Sequence, residues 1–266
     1  MKTIKLVFRL IFIILGALLG IKYPRKRYTY NRTYNVYRKD HDTFPKKQDD
    51  RLNGIVSENC QNQAERNLVS SLLDYGISPR AIFHNLCVRN SKNRFSQIDV
   101  VVATKVGLIV FEVKDYSGWI FGKGKENKWT QSLKCDYRYK RYSYKNEQCK
   151  KYRFYNPVLQ NESHIKALQK QSKQFEKLPF YSVVIFDGDC ELRDISFIPS
   201  GTFVAKPYRL NEVLDVIFEN DDAKYTDKHE VMRILKMATN NGANIDIQNK
   251  HVENIRDMLG EDRVLD

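Results

Sequence analysis

Two acidic residues and a lysine interrupt an otherwise apolar stretch, QIDVVVATKVGLIVFEVKDYSG, at residues 97–118. The two apolar runs and the short turn between them predict a β-hairpin whose strands are covered on both faces. With the turn at residues 105–106, Asp99 falls directly opposite Glu112, and directly opposed Cβ atoms lie about 4.5–5.5 Å apart. Lys114 lies two residues beyond Glu112 and therefore shares its face of the strand. The hairpin is predicted to gather two carboxylates and an ammonium group at one end.

This grouping of charges suits a divalent cation. Two carboxylates so close together repel each other unless something neutralises them. Mg²⁺ typically takes one or two carboxylates and keeps several waters, which leaves room for a phosphate group. A nearby lysine can hold the attacking water or stabilise charge on the phosphate, so metal and lysine together suit hydrolysis of a phosphodiester. The alternative is an ordinary Glu–Lys surface pair. Unpaired charge inside apolar runs is costly, which favours the metal site.

Helices and further strands are predicted on both sides of the hairpin. Upstream, SENCQNQAERNLVSSLLDYG carries apolar residues at helical spacing, with Ser57 or Asn59 as the cap and Gly76 at the end. Downstream, Pro157 suits the first turn of a second helix. Strands are predicted at residues 81–88, 181–187 and 202–206, and two more helices at LNEVLDVIFE and KHEVMRILKMA. This order of elements predicts an α/β fold with a mixed central sheet.

Several motifs occur in the order that one known domain family shows. They are Glu65 in QAERNL, the acids and lysine of the hairpin, DYSGWIFG at residues 115–122, Trp129, and NPVLQNESHIKAL with Gln160. Over about residues 55–210 the chain therefore resembles the nuclease-related domain, or NERD, family of the restriction-endonuclease-like PD-(D/E)xK superfamily. Two features depart from the family's pattern. Ala64 stands where a glycine usually precedes the helix acid, and the stretch between Trp129 and Asn156 is expanded.

The resemblance implies a restriction-endonuclease-like fold, a mixed β-sheet flanked by helices, and hydrolysis of phosphodiester bonds in nucleic acid. DNA is the favoured substrate, and Mg²⁺ or Mn²⁺ is the expected cofactor. By the same resemblance, Asp99 and Glu112 would bind the metal and Lys114 would act on the water. Glu65 would be a supporting acid that reaches the metal directly or through water, and Gln160 would orient phosphate or water.

Single residues among these have ordinary alternatives. Taken alone, Glu65 is a helix-surface acid and Gln160 a cap or loop hydrogen-bonding residue. Their occurrence together with the hairpin favours the catalytic interpretation. His164 lies one turn after Gln160, where it could face the site, but a plain surface histidine is the expectation.

A basic, tyrosine-rich stretch separates the hairpin from the Gln160 helix, within a long polar segment at residues 122–156. It reads KCDYRYKRYSYKNEQCKKYRFYNP, residues 134–157, in a chain of net charge +13 and pI about 9.4. Cations suit phosphates and aromatic rings stack on bases, which predicts nucleic-acid binding. A solvated loop is an equally open alternative. The cations predicted to bind are Arg138, Lys140, Arg141, Lys150 and Lys151.

The N-terminus predicts a single membrane anchor. Residues 6–21 are apolar except for Arg9 and carry more positive charge after them than before, which favours a cytoplasmic body. A cleaved signal peptide is the rival, but no clear cleavage site follows. The five cysteines show no metal-ligand spacing and are expected as reduced thiols. The predicted domains are an anchor or signal segment at 1–22, a basic linker at 23–50, a NERD-like nuclease domain at 51–210 and a helical extension at 211–266.

The sequence leaves two other functions open beside a membrane-tethered, metal-dependent nuclease. One is a nuclease-like fold that binds nucleic acid, or scaffolds an assembly at the membrane, without cutting. The other is a secreted basic protein. Intact Asp99, Glu112 and Lys114 favour the enzyme.

Overall fold

Nine strands and four α-helices make up the described part of the chain, residues 49–57, 60, 62–90, 94–133 and 150–250 of this computed structural model. The strands are β1 (Ile82–Arg89), β2 (Phe95–Thr104), β3 (Gly107–Asp115), β4 (Gly118–Lys123), β5 (Lys128–Ser132), β6 (Lys151–Tyr155), β7 (Phe180–Asp187), β8 (Cys190–Ser196) and β9 (Thr202–Ala205). The helices are α1 (Gln63–Tyr75), α2 (Pro157–Gln169), α3 (Leu210–Phe218) and α4 (Lys228–Gly242).

The strands form two mixed sheets, which confirms the predicted α/β class. The first has the order β1-β2-β3-β7-β9, with β1 to β3 antiparallel and β7 and β9 parallel to β3. The second has the order β6-β5-β4-β8, with β8 parallel to β4. No strand was predicted within residues 122–156, which contain β5 and β6. Four of the five residues of the edge strand β6 are exposed, so little of this strand is buried in a core.

The hairpin of β2 and β3 has the predicted register. Thr104 pairs with Gly107 across a turn at residues 105–106, and Val100 pairs with Phe111. The same register, carried one residue further, places Asp99 opposite Glu112. Both faces of these strands are covered by apolar residues, which explains why their sequences are nearly continuous hydrophobic runs.

Helix α1 begins later than the sequence analysis expected. Its N-cap is Asn62, whose side chain accepts hydrogen bonds from the backbone N–H groups of Ala64 and Glu65. The predicted cap Ser57 was therefore wrong, and Asn59 lies outside the described residues. Gly76 ends the helix as predicted, with a left-handed φ of 102° that glycine adopts readily. The late start puts Glu65 in the first turn of α1.

Two apolar clusters cover the two faces of the first sheet. One contains Leu72 of α1 and Leu214 of α3, and the other Leu168 of α2 and Leu235 of α4. A third cluster, around Trp129, joins the second sheet to β7. The helices thus hold the hairpin between them and bring side chains from α1 and α2 to its charged end.

The predicted membrane anchor, residues 6–21, lies outside the described residues. Within the described ranges, no helix is both long and apolar enough to cross a membrane. Cys60, Cys87 and Cys190 carry free thiols, as expected.

Candidate active site

Glu112 and Lys114 form an ion pair at the C-terminal end of β3. The Lys114 Nζ donates to Glu112 Oε1 at 2.5 Å and to Gln160 Oε1 at 3.1 Å. Glu112 is 2% exposed. Three of the residues predicted from sequence therefore meet here, and the contact with Gln160 joins β3 to α2.

The start of α2 is fixed by a buried asparagine. Asn156 caps the helix by accepting from the backbone N–H of Val158, and its amide donates to three backbone carbonyls of the β4–β5 connection. Pro157 follows at the first helical position, as predicted. This anchorage sets the rotation of α2 and aims Gln160 and, one turn later, His164 at the sheet.

His164 is a site residue, so the expectation of a surface histidine was wrong. It is 6% exposed. Its Nε2 lies 3.2 Å from Glu112 Oε2, although out of line for a hydrogen bond, and its Nδ1 lies 2.8 Å from Ser96 Oγ. The i, i+4 spacing from Gln160 was the available signal, because residues at that spacing share one face of a helix.

Asp99 lies on the neighbouring strand, with its Oδ2 accepting a hydrogen bond from the backbone N–H of Val113 at 2.8 Å. Burial raises the pKa of Asp99 well above its usual range, and the nearby charges of Glu112 and Glu65 raise it further. Ionisation of this carboxyl therefore costs free energy, and a bound cation would offset that cost.

Glu112 differs from Asp99 because it lies against Lys114 and His164. Burial opposes its charge, but His164 and Lys114 outweigh that effect and lower the pKa of Glu112. Burial likewise opposes the charge of Lys114, but Glu112 outweighs it and raises the pKa of the lysine. Of the two hairpin acids, Asp99 is therefore the one without a cationic hydrogen-bond partner among the described residues.

A kink in β1 accompanies Asp99. Asn85 has a left-handed φ of 55°, and Phe83 and Leu86 on either side of it belong to the same apolar cluster despite their odd spacing. The pairs flanking Asn85 keep one register, which places it opposite Asp99. Gly242 of α4 packs on the kink so closely that a Cβ there would lie 1.7 Å from the Asn85 carbonyl oxygen. Strained backbone of this kind tends to cluster at functional sites.

Glu65 is held by Asn62 and His84, contacts that the sequence did not predict. Its Oε2 lies 2.7 Å from His84 Nε2, and its Oε1 accepts from Asn62 Nδ2 at 2.5 Å. The Cys60 thiol lies 3.9 Å from Glu65 Oε2 and 3.7 Å from His84 Nε2. The charge of Glu65 thus acts on Asp99, but its carboxylate contacts His84 on β1.

The predicted nucleic-acid-binding cations are placed only in part. Lys150 and Lys151 are exposed at the start of β6, whereas Arg138, Lys140 and Arg141 lie outside the described residues. The ends of the 134–149 connection are joined by a hydrogen bond from the Leu133 N–H to the Lys150 carbonyl. Beside this junction, Gln131 donates to the Ser117 carbonyl at 2.9 Å. Ser117 is the third residue after Lys114, so the basic connection leaves the sheet close to the charged end of β3.

Asp99 and Glu112 fit a hard divalent cation. Mg²⁺ and Mn²⁺ favour carboxylate oxygens and water. Among the described residues no hydrogen bond occupies Asp99 Oδ1, so this oxygen remains as a ligand atom. A bound cation would favour the charged form of Asp99, which burial and the neighbouring acids disfavour.

The chain is similar to proteins of one family. Residues 61–187 match the family model described as nuclease-related domain, a span that contains every residue predicted to be catalytic. An uncharacterized protein of Bacillus anthracis is 29% identical over 214 residues, which cover 76% of this chain and 88% of that protein. No solved structure matches the chain.

Proposed function

We propose that the protein is a metal-dependent nuclease that hydrolyses phosphodiester bonds in nucleic acid, with DNA favoured. Residues 61–187 match the family model described as nuclease-related domain, which supports this proposal. The observation that carries the proposal is the contact of Lys114 with both Glu112 and Gln160, beside Asp99, at one end of a buried hairpin. The mixed sheet with helices on both faces supports a restriction-endonuclease-like arrangement.

Asp99 and Glu112 would hold Mg²⁺ or Mn²⁺. A bound ion supplies Lewis acidity and a water of lowered pKa. Asp99 would gain more from the cation, because burial and the neighbouring acids disfavour its charge, whereas Glu112 already pairs with Lys114. Glu65 adds negative charge close to Asp99 and so supports cation binding from a distance.

Lys114 would hold the attacking water or stabilise charge on the phosphate. Its ammonium has three donors, and Glu112 and Gln160 take two of them, which leaves one directed elsewhere. Gln160 therefore acts here as a positioning residue for Lys114, a different role from the expected orientation of phosphate or water. His164 acts as a positioning residue for Glu112, and the contact of Ser96 with its Nδ1 orients the ring.

The nucleic acid would approach along the basic connection between β5 and β6. The junction of Leu133 and Lys150 lies beside Ser117, close in the chain to Lys114. Phosphate contacts from lysine and arginine supply affinity, and tyrosines can stack on bases. The predicted anchor at residues 6–21 would hold this activity at the membrane, with the domain in the cytoplasm.

The direct test is incubation of the full-length protein with labelled DNA and RNA, with and without Mg²⁺ or Mn²⁺. Cleavage should require the metal and should be lost in Asp99→Asn and Glu112→Gln, which remove charge with little change in shape. The matched controls are Asp115→Asn, an exposed acid on the same strand, and Glu162→Gln, an exposed acid on α2. Both controls should cut as the wild type does.

Absence of cleavage of either nucleic acid by the wild type in Mn²⁺ would overturn the enzyme proposal. If that protein still bound nucleic acid with a strong salt dependence, the non-catalytic binding function would replace it.

A further inference from the structure

We propose that Cys60, Glu65 and His84 form a second metal site, for a thiophilic divalent ion such as Zn²⁺. Three different ligand types meet here: a thiol before α1, a carboxylate in its first turn and an imidazole on β1. Their Sγ, Oε2 and Nε2 atoms all lie within 4.8 Å of one another. This inference does not depend on the nuclease proposal.

The distances between the ligand atoms are close to those of a tetrahedral zinc site. Bonds of 2.0–2.3 Å at tetrahedral angles separate neighbouring ligands by about 3.3–3.6 Å. Cys60 Sγ lies 3.7 Å from His84 Nε2 and 3.9 Å from Glu65 Oε2. Only the 2.7 Å hydrogen bond between His84 Nε2 and Glu65 Oε2 has to open, by about 0.6 Å, for the ion to take the place of its proton.

The geometry favours a metal site over a catalytic Cys–His–Glu relay. A relay uses both ring nitrogens of the histidine, one for the nucleophile and one for the acid. Here the thiol and the carboxylate both point at Nε2, while Nδ1 is buried and has no hydrogen-bond partner among the described residues. Three groups converging on one point is the arrangement that a single ion needs.

The surroundings suit a bound ion as well. His84 is 3% exposed and Glu65 8% exposed, whereas Cys60 is half-buried and gives access from solvent. Asn62 Nδ2 donates to the other oxygen of Glu65, which orients the carboxylate as outer partners of metal ligands do. Burial raises the pKa of the Cys60 thiol, and Glu65 raises it further, which opposes the thiolate in the metal-free protein, so that metal binding would have to displace the thiol proton.

One sulfur, one nitrogen and one oxygen suit Zn²⁺ rather than Mg²⁺, which prefers oxygen ligands only. Three protein ligands leave the fourth tetrahedral position for water. The ion would balance the charge of Glu65, so this site would govern how much negative charge Glu65 presents to Asp99.

Titration of the full-length protein with Co²⁺, a spectroscopic substitute for Zn²⁺, tests the proposal. One equivalent should produce a thiolate-to-cobalt charge-transfer band, which Zn²⁺ abolishes by competition and excess Mg²⁺ does not. Cys60→Ser should remove the band, and His84→Gln should weaken Zn²⁺ affinity by more than about 100-fold, the upper end of what loss of an outer partner costs. Cys87→Ser is the matched control, because it removes a buried thiol from β1 outside the cluster.

Asp99→Asn should leave the cobalt band intact, which keeps this test apart from that of nuclease activity. Circular dichroism of each variant confirms that it is folded, and Glu65→Gln provides a second folded variant in which affinity should fall. A wild type without the band, or a band that survives Cys60→Ser or disappears equally in Cys87→Ser, would overturn the proposal.

Discussion

At the scale of single residues, the two hairpin acids have different electrostatic roles. Lys114 pairs with Glu112, whereas Asp99 is partly buried near two other carboxylates, and among the described residues its hydrogen-bond partner is the Val113 N–H. A site in which one acid has a cationic partner and the other has none suits a cation, but it lowers the stability of the metal-free protein. Functional sites commonly carry such a cost in stability.

Asp99→Asn is expected to raise the melting temperature of the metal-free protein at neutral pH. The pKa of Asp99 is raised on folding, so stability is fully present below the unfolded pKa of about 3.9 and is lost as the pH rises through the folded pKa. Asparagine has no charge and escapes this loss. Thermal melts from acid to neutral pH should show the advantage of the variant growing from about pH 4 upward.

Asp115→Asn serves as the control, since it removes an exposed charge from the same hairpin. The difference in melting temperature between this variant and the wild type should not grow as the pH rises. A constant or inverted difference between Asp99→Asn and wild type would contradict the account of Asp99. Mn²⁺ should raise the melting temperature of the wild type and do so less for Asp99→Asn.

At the scale of elements, α4 supports the kink that accompanies Asp99. Gly242→Ala would drive a Cβ into the Asn85 carbonyl, so α4 or β1 must shift. We expect a loss of about 1–3 kcal/mol of stability, typical of overpacking, and weaker stabilisation by Mn²⁺. Denaturant unfolding with and without the metal measures both effects.

Asn240→Ala is the matched change on an exposed position of α4 and should stay within about 0.5 kcal/mol of wild type. A Gly242→Ala protein as stable as wild type, with an unchanged response to Mn²⁺, would show that the kink does not support the site.

The elements also show what the sequence could and could not predict. The register of β2 and β3 followed from a period of two and a short turn, so the pairing of Asp99 with Glu112 was accessible. His164 was missed because its burial depends on how Asn156 sets the rotation of α2. The contact of Cys60 with His84 joins residues 24 apart on a loop and a strand, and no spacing rule links such a pair.

At the scale of the whole molecule, the basic connection is expected to supply affinity for nucleic acid, and the hairpin is expected to supply the chemistry. Removing several of its cations should weaken nucleic-acid binding and make its salt dependence shallower, because fewer counterions are released. The set is Arg138, Lys140, Arg141, Lys150 and Lys151. Binding measured over a range of salt concentrations checks this, with Mn²⁺ stabilisation unchanged as evidence of an intact metal site. An unaltered salt slope would move the binding surface elsewhere.

Membrane attachment through residues 6–21 is the second expectation at this scale. The full-length protein should remain in the membrane fraction in high salt, which releases a purely electrostatic association. A variant lacking residues 1–22 should appear in the soluble fraction. Recovery of a wild-type protein that has lost its N-terminus would favour a signal peptide instead.

The most direct measurement for the central claim compares Mn²⁺ binding and nucleic-acid cleavage in Lys114→Ala and wild type. Lys114 is proposed to act on water or phosphate, whereas the ion is held by Asp99 and Glu112. The account predicts that the variant still binds Mn²⁺ while its cleavage rate falls by about 10²–10³, as expected for loss of one preorganised donor. A Lys114→Ala protein that cleaves at the wild-type rate, or a wild type that binds Mn²⁺ without cutting DNA or RNA, would contradict it.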